Sequence, residues 1–98
     1  MVELSEPTRE RLLELFAAAD APAAQHILEL ECAENLPLIG DSATPSGLER
    51  IRFAALRLSG GNLDRLREAV AMAQVDWRDV LVAAGFGSSL SAHREWRP

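Results

Sequence analysis

The chain has 98 residues, a formal net charge of −5 and 48% hydrophobic residues, which fits one domain over 1–98 and excludes two, each too small for its own core. Every basic residue is an arginine and tyrosine is absent, so Schiff-base lysine, P-loop lysine and tyrosine-acid chemistry are excluded. Residues 1–40 carry eight acids and two arginines, whereas 41–98 carry seven acids and eight arginines; an acidic first part disfavours unspecific nucleic-acid binding.

In chain order, the first helix is expected from Glu6 to about Ala19, with Ser5 as N-cap and Pro7 in the first turn. Leu12, Leu13, Leu15, Phe16 and Ala19 supply its apolar stripe. Asp20 is expected to cap a second helix running to about Glu34, with Ala24, Ile27, Leu28 and Cys32 inward. The short joint between the two predicts a helical hairpin. Asn35 to Thr44 is rich in turn chemistry, yet Leu36, Leu38 and Ile39 predict that it packs down on the core.

Thr44 caps the third helix, with Pro45 at its first position. Leu48, Ile51, Phe53, Ala55, Leu56 and Leu58 form an apolar arc wide enough for a central helix. Arg52 falls inside that arc and is expected to snorkel or to meet a carboxylate. Ser59 to Asn62 ends this helix and caps a fourth, Leu63 to Gln74, which buries Leu63, Leu66, Ala69, Val70 and Ala73 and leaves Met72 on its other face. A fifth helix is expected from Asp76, with Trp77, Val80, Leu81 and Ala84 inward and a Schellman stop at Gly85-Phe86. A short last helix should run from Ser88 or Ser89 through Trp96. The expected fold is all-α: a compact orthogonal bundle of five or six helices, a single domain ordered over about 6–96.

Few residues here carry chemistry. His26, Glu29 and Cys32 recur every three positions, a spacing that stacks metal ligands on one helix face. No second pair follows and Cys32 points inward, so they read as a surface histidine above a buried thiol, and no metal site is assigned. His93 has Ser91 two residues away, on another face, and reads as structural or surface. Glu29, Glu31 and Glu34 spread around their helix; they read as a solvated face whose functional form is an acidic dock for a basic partner. In Asp76-Trp77-Arg78-Asp79 the acids read as caps, Trp77 as core and Arg78 as paired to a neighbouring acid. The turn at Gln74-Val75-Asp76 has the layout of a helix-turn-helix, but the second helix starts with two acids that would face phosphates.

The words Leu48 to Ser59 (LERIRFAALRLS), Asp76 to Gly87 (DWRDVLVAAGFG) and Ala92 to Trp96 (AHREW), with Glu31-Cys32 and Asn35-Leu36-Pro37 upstream, resemble a group of short, uncharacterised bacterial all-helical proteins. The resemblance implies a bacterial source and a helical fold. It brings no activity, cofactor or catalytic residue.

The reading that results is a non-catalytic protein-interaction or regulatory module, not an enzyme, with no cofactor. Its candidate protein-binding residues are Glu31, Glu34, Arg50, Arg57, Met72, Arg78 and Trp96. Self-association is a second expectation, because Met72, Val82 and Trp96 are expected to leave apolar surface exposed. The alternatives are helix-turn-helix-like nucleic-acid binding and a small ligand-binding protein or enzyme using His26 or His93. The polar start, Met1 to Glu10, predicts no signal peptide, and no apolar run nears the roughly 20 residues that span a bilayer. With a lone cysteine, the cytoplasm is the expected location.

Overall fold

A computed structural model describes residues 2–37 and 39–98, and the chain within them is all-helical, without strands. The first helix, α1, spans Glu6–Leu15. Ser5 holds its start as expected, in extended backbone, with its hydroxyl oxygen accepting from the Thr8 amide at 3.4 Å. The helix ends at Leu15 instead of Ala19, because Phe16 turns extended and buries its ring. The carbonyl of Ala17 then accepts from the amides of Asp20 and Ala21, and the chain reverses. Leu13, expected in the stripe, is 59% exposed.

The second helix, α2, spans Ala21–Glu31. Asp20 takes the cap position but makes no side-chain cap bond. The helix stops short of Glu34 because the Asn35 side chain accepts from the Ala33 amide at 3.2 Å and draws the chain out. Leu36 and Ile39 pack down on the core as expected, while Leu38 lies outside the described residues. A 3-10 turn at Gly40–Ser42 leads into α3, Pro45–Ser59.

Thr44 caps α3, accepting from the Gly47 amide at 3.0 Å. All residues from Ile51 to Leu56 are buried, so α3 is central as its arc predicted. Arg52 lies among them at 2% exposure, and here the expectation is corrected: it neither snorkels nor meets a carboxylate. Its Nε donates to the Cys32 carbonyl at 2.9 Å and its Nη1 to Glu3 at 2.9 Å. Its Nη2 donates to Val2 at 2.7 Å and Leu28 at 3.3 Å. Two of these carbonyls end α2, the negative pole of a helix, and they stabilise the charge with no carboxylate in contact.

Gly60 and Gly61, both left-handed, turn the chain into α4, Leu63–Ala83, capped by Asn62. A side chain at Gly61 would put its Cβ 2.6 Å from the Leu15 carbonyl oxygen, so the end of α1 packs on bare backbone there. The expected fourth and fifth helices are one element, kinked at Asp76 (φ −155°, ψ 106°). Asp76 still acts locally as a cap, accepting from the Arg78 amide at 3.1 Å, but no turn separates the two parts. Beyond α4 the Schellman stop is as expected: Gly85 is left-handed, its amide donates to Val82, and that of Phe86 donates to Leu81 at 2.8 Å.

The expected last helix is only a 3-10 turn, Ala92–Glu95. The Ser89 hydroxyl accepts from the Ser91 amide at 3.2 Å, a local bond that competes with helix, and one turn cannot nucleate alone. The described architecture therefore has four α-helices, not five or six, around one core. The broadest packing is α3 on α4, with α1 against α3 and α2 against α4. Its dimensions are 34 × 25 × 22 Å.

Candidate functional site

Three of the expected contact residues converge, and they do so on Phe86. Arg50 donates from Nη2 to its carbonyl at 2.7 Å, Arg57 lies over its ring at 5.3 Å, and the Trp96 ring is 6.4 Å away. Trp96 is half-buried in an aromatic cluster with Phe53, Phe86 and His93, so it does not offer the open apolar surface expected of it. Arg11 completes this cluster, over the Phe53 ring at 5.4 Å and donating to the Trp96 carbonyl at 3.1 Å. These contacts fasten the C-terminal segment to α1 and α3.

The other four lie on or beside α4. Met72 is exposed on it, and Arg78 forks onto Asp76 at 3.0 and 3.1 Å, the neighbouring acid expected. That fork holds the Asp76 carboxyl below its usual range and raises the guanidinium of Arg78. Glu31 and Glu34 are exposed at the end of α2, and the Glu31 carbonyl accepts from Gln74 of α4 at 3.2 Å. A bond to its own backbone amide lowers the Glu34 carboxyl.

His93 is fully buried. Its Nε2 faces Glu49 Oε2 at 3.2 Å, and the other Glu49 oxygen accepts from the Ser5 hydroxyl at 2.9 Å. Ser, His and carboxylate thus meet, but with the carboxylate in the middle. The hydroxyl proton points at Glu49 and not at imidazole, so His93 cannot act as base toward Ser5 in this geometry. His26 is exposed and Cys32 buried, so the face they share with Glu29 does not converge on one point. Burial pushes the Cys32 thiol up to about 12, with nearby Arg52 pulling the other way. Among the described residues no three His, Cys, Asp or Glu side chains gather as a metal would need. No helix among them is long and apolar enough to cross a membrane.

Two clefts open beside α3. One, of about 280 Å³, lies between the N-terminal segment and α3, with Leu4 and Leu48 in its apolar wall and Glu3 and Glu49 as its acids. The other, of about 270 Å³, lies between the start of α3 and the second part of α4. Arg50, Ser46, Thr44 and Asp41 are its polar lining; Ile51, Trp77, Leu81 and Leu90 are its apolar lining. Arg50 and Trp77 both line it, and Arg50 Nε and Trp77 Nε1 are buried without hydrogen-bond partners. An unmatched buried donor costs about 1–3 kcal/mol. Trp77 is half-buried at this wall, so its expected place in the core is only partly kept.

Sequence reasoning passed over Asp41 and Leu90. Leu90 had a signal: it is the one large aliphatic residue in the Gly- and Ser-rich stretch 85–91. No family model, no curated protein and no solved structure matches the chain.

Proposed function

We propose that the chain is a non-catalytic protein-interaction module that docks a partner on the outward face of α4. The observation that carries this reading is that Val75 and Val82 are 80% and 71% exposed, with Met72 at 40%. Covering such side chains contributes about 1.5–3 kcal/mol each, a strong reason for a partner to settle there. Exposed Glu68 and Asp79 share α4 with them, and exposed Glu31 adjoins it through the Gln74 bond. The net charge of −5 disfavours a second copy of the chain and favours a partner whose apolar patch is rimmed by Lys or Arg. Within this proposal the setting is a bacterial cytoplasm, which rests on the resemblance of the α3 and 76–96 words and on the lone buried cysteine.

The test is affinity capture from native extract with the wild-type chain and a Val75→Asp/Val82→Asp variant side by side. Both substitutions sit on exposed positions, so circular dichroism should be unchanged. A basic protein retained by the wild type and lost by the variant is the expected result. Nothing retained by the wild type, or equal retention by both, overturns the proposal.

A further inference from the structure

The cleft between the start of α3 and the second part of α4 has a composition that α4-face docking does not use. Its two buried N–H donors, Arg50 Nε and Trp77 Nε1, lack acceptors. Arg50 meets the Phe86 carbonyl through Nη2 and forms no ion pair among the described residues. The only acid lining the cleft is Asp41, which is exposed to water in the 3-10 turn. Two unmatched donors, one of them on a guanidinium without an ion pair, call for an acceptor that is itself negative. The rest of the wall is apolar: Ile51, Leu81, the Trp77 ring and Leu90, the last 80% exposed.

We propose that this cleft binds a small organic carboxylate. The carboxylate lies on Arg50 Nε–H and Trp77 Nε1–H, and the apolar body lies on Ile51 and Leu81 under Leu90. Three features support the choice. Inorganic anions would leave the apolar wall wet, and an uncharged apolar molecule would leave both donors unmatched. At about 270 Å³ the cleft suits one ring or a short chain, since small-molecule sites typically run from roughly 300 Å³ upward. Leu90, out of reach of the core at the mouth of the cleft, gains cover only when something fills it. Both N–H groups are closed to water when the cleft is empty, so binding involves a side-chain adjustment at the wall, a common event at binding sites.

The test is titration of the full chain with benzoate and hexanoate, followed by the two indole ¹⁵N–¹H resonances. The protein has two tryptophans, and Trp77→Phe assigns the signals. The expected result is a saturable downfield shift of Trp77 with both acids and none of Trp96. Benzyl alcohol, which lacks the anion, and sulfate, which lacks the body, should leave Trp77 in place. Arg50→Gln should weaken benzoate about tenfold. Because Arg50 also holds the Phe86 carbonyl, a second variant at the exposed rim, Leu90→Asp, is measured too. It should weaken benzoate about tenfold by charge repulsion, with the circular dichroism unchanged. No saturable shift of Trp77 with either acid, an equal response to benzyl alcohol or sulfate, or unchanged affinity in Leu90→Asp overturns the proposal.

Discussion

At the scale of single residues, Arg52 shows how a buried charge is kept with no carboxylate in contact. Four carbonyls surround its guanidinium, and burial pulls its proton affinity down while Cys32, Glu29 and Glu34 push it back up. Lysine has one ammonium in place of a planar fork and cannot reach all four acceptors. Arg52→Lys should therefore lower stability by about 2–4 kcal/mol in urea unfolding, and Arg52→Met by more, since it leaves the Val2, Glu3 and Cys32 carbonyls without their donor. The position of Arg52 inside an apolar arc was legible in the sequence. Its partners were not, because they lie 20 to 50 residues away and are backbone atoms that no side-chain pattern marks. Cys32 makes a second prediction. Its thiol is raised from an ordinary 9.0 to about 12, so the folded state holds a proton that the unfolded state gives up first. This stabilisation is complete below pH 9.0 and is lost as pH rises toward about 12, with a slope of at most about 1.4 kcal/mol per pH unit. Cys32→Ala should flatten that slope, and a thiol reagent should label the wild type only once it unfolds.

At the scale of elements, what the sequence showed well was local. Ser5, Thr44, Asn62 and Asp76 each accept an amide two or three residues on, and the Gly60 and Gly85 stops are left-handed. Such motifs lie within one turn of chain, so a sequence carries them whole. What it hid was whether a cap opens a new helix or only kinks an old one. At Asp76 one extended residue kinks α4 without a loop, and five or six expected helices became four. Gly61 gives the prediction here. It is left-handed and a Cβ would meet the Leu15 carbonyl, so Gly61→Ala should cost about 2–4 kcal/mol. Gly60→Ala, left-handed but in open space, should cost about 1 kcal/mol. Thermal unfolding of the two variants measures the difference.

Across the whole molecule, the C-terminal segment is held less by its own conformation than by what it reaches. Trp96 and His93 pack edge-on or tilted against Phe53 and Phe86, Glu49 bonds the imidazole, and Arg11 holds the Trp96 carbonyl. Trp96→Ala should cost about 2–4 kcal/mol and should loosen 88–98 in hydrogen exchange before the helices open. The two apolar ends of this cluster were visible as Phe and Trp; the burial of His93 was not, because its partner Glu49 is 44 residues away. The same distance problem hid the anion-fitting cleft, whose lining comes from the 3-10 turn, α3, α4 and the segment after it. Arg52 carries a last consequence for how the chain is made. The carbonyls of residues 2, 3 and 32 meet this donor only once residue 52 exists, whereas that of Leu28 already accepts the Cys32 amide within the turn that ends α2. On a growing chain those three acceptors therefore stay on water until α3 has been made, and the joining of the N-terminal segment to the end of α2 is an event that the first two helices cannot complete by themselves.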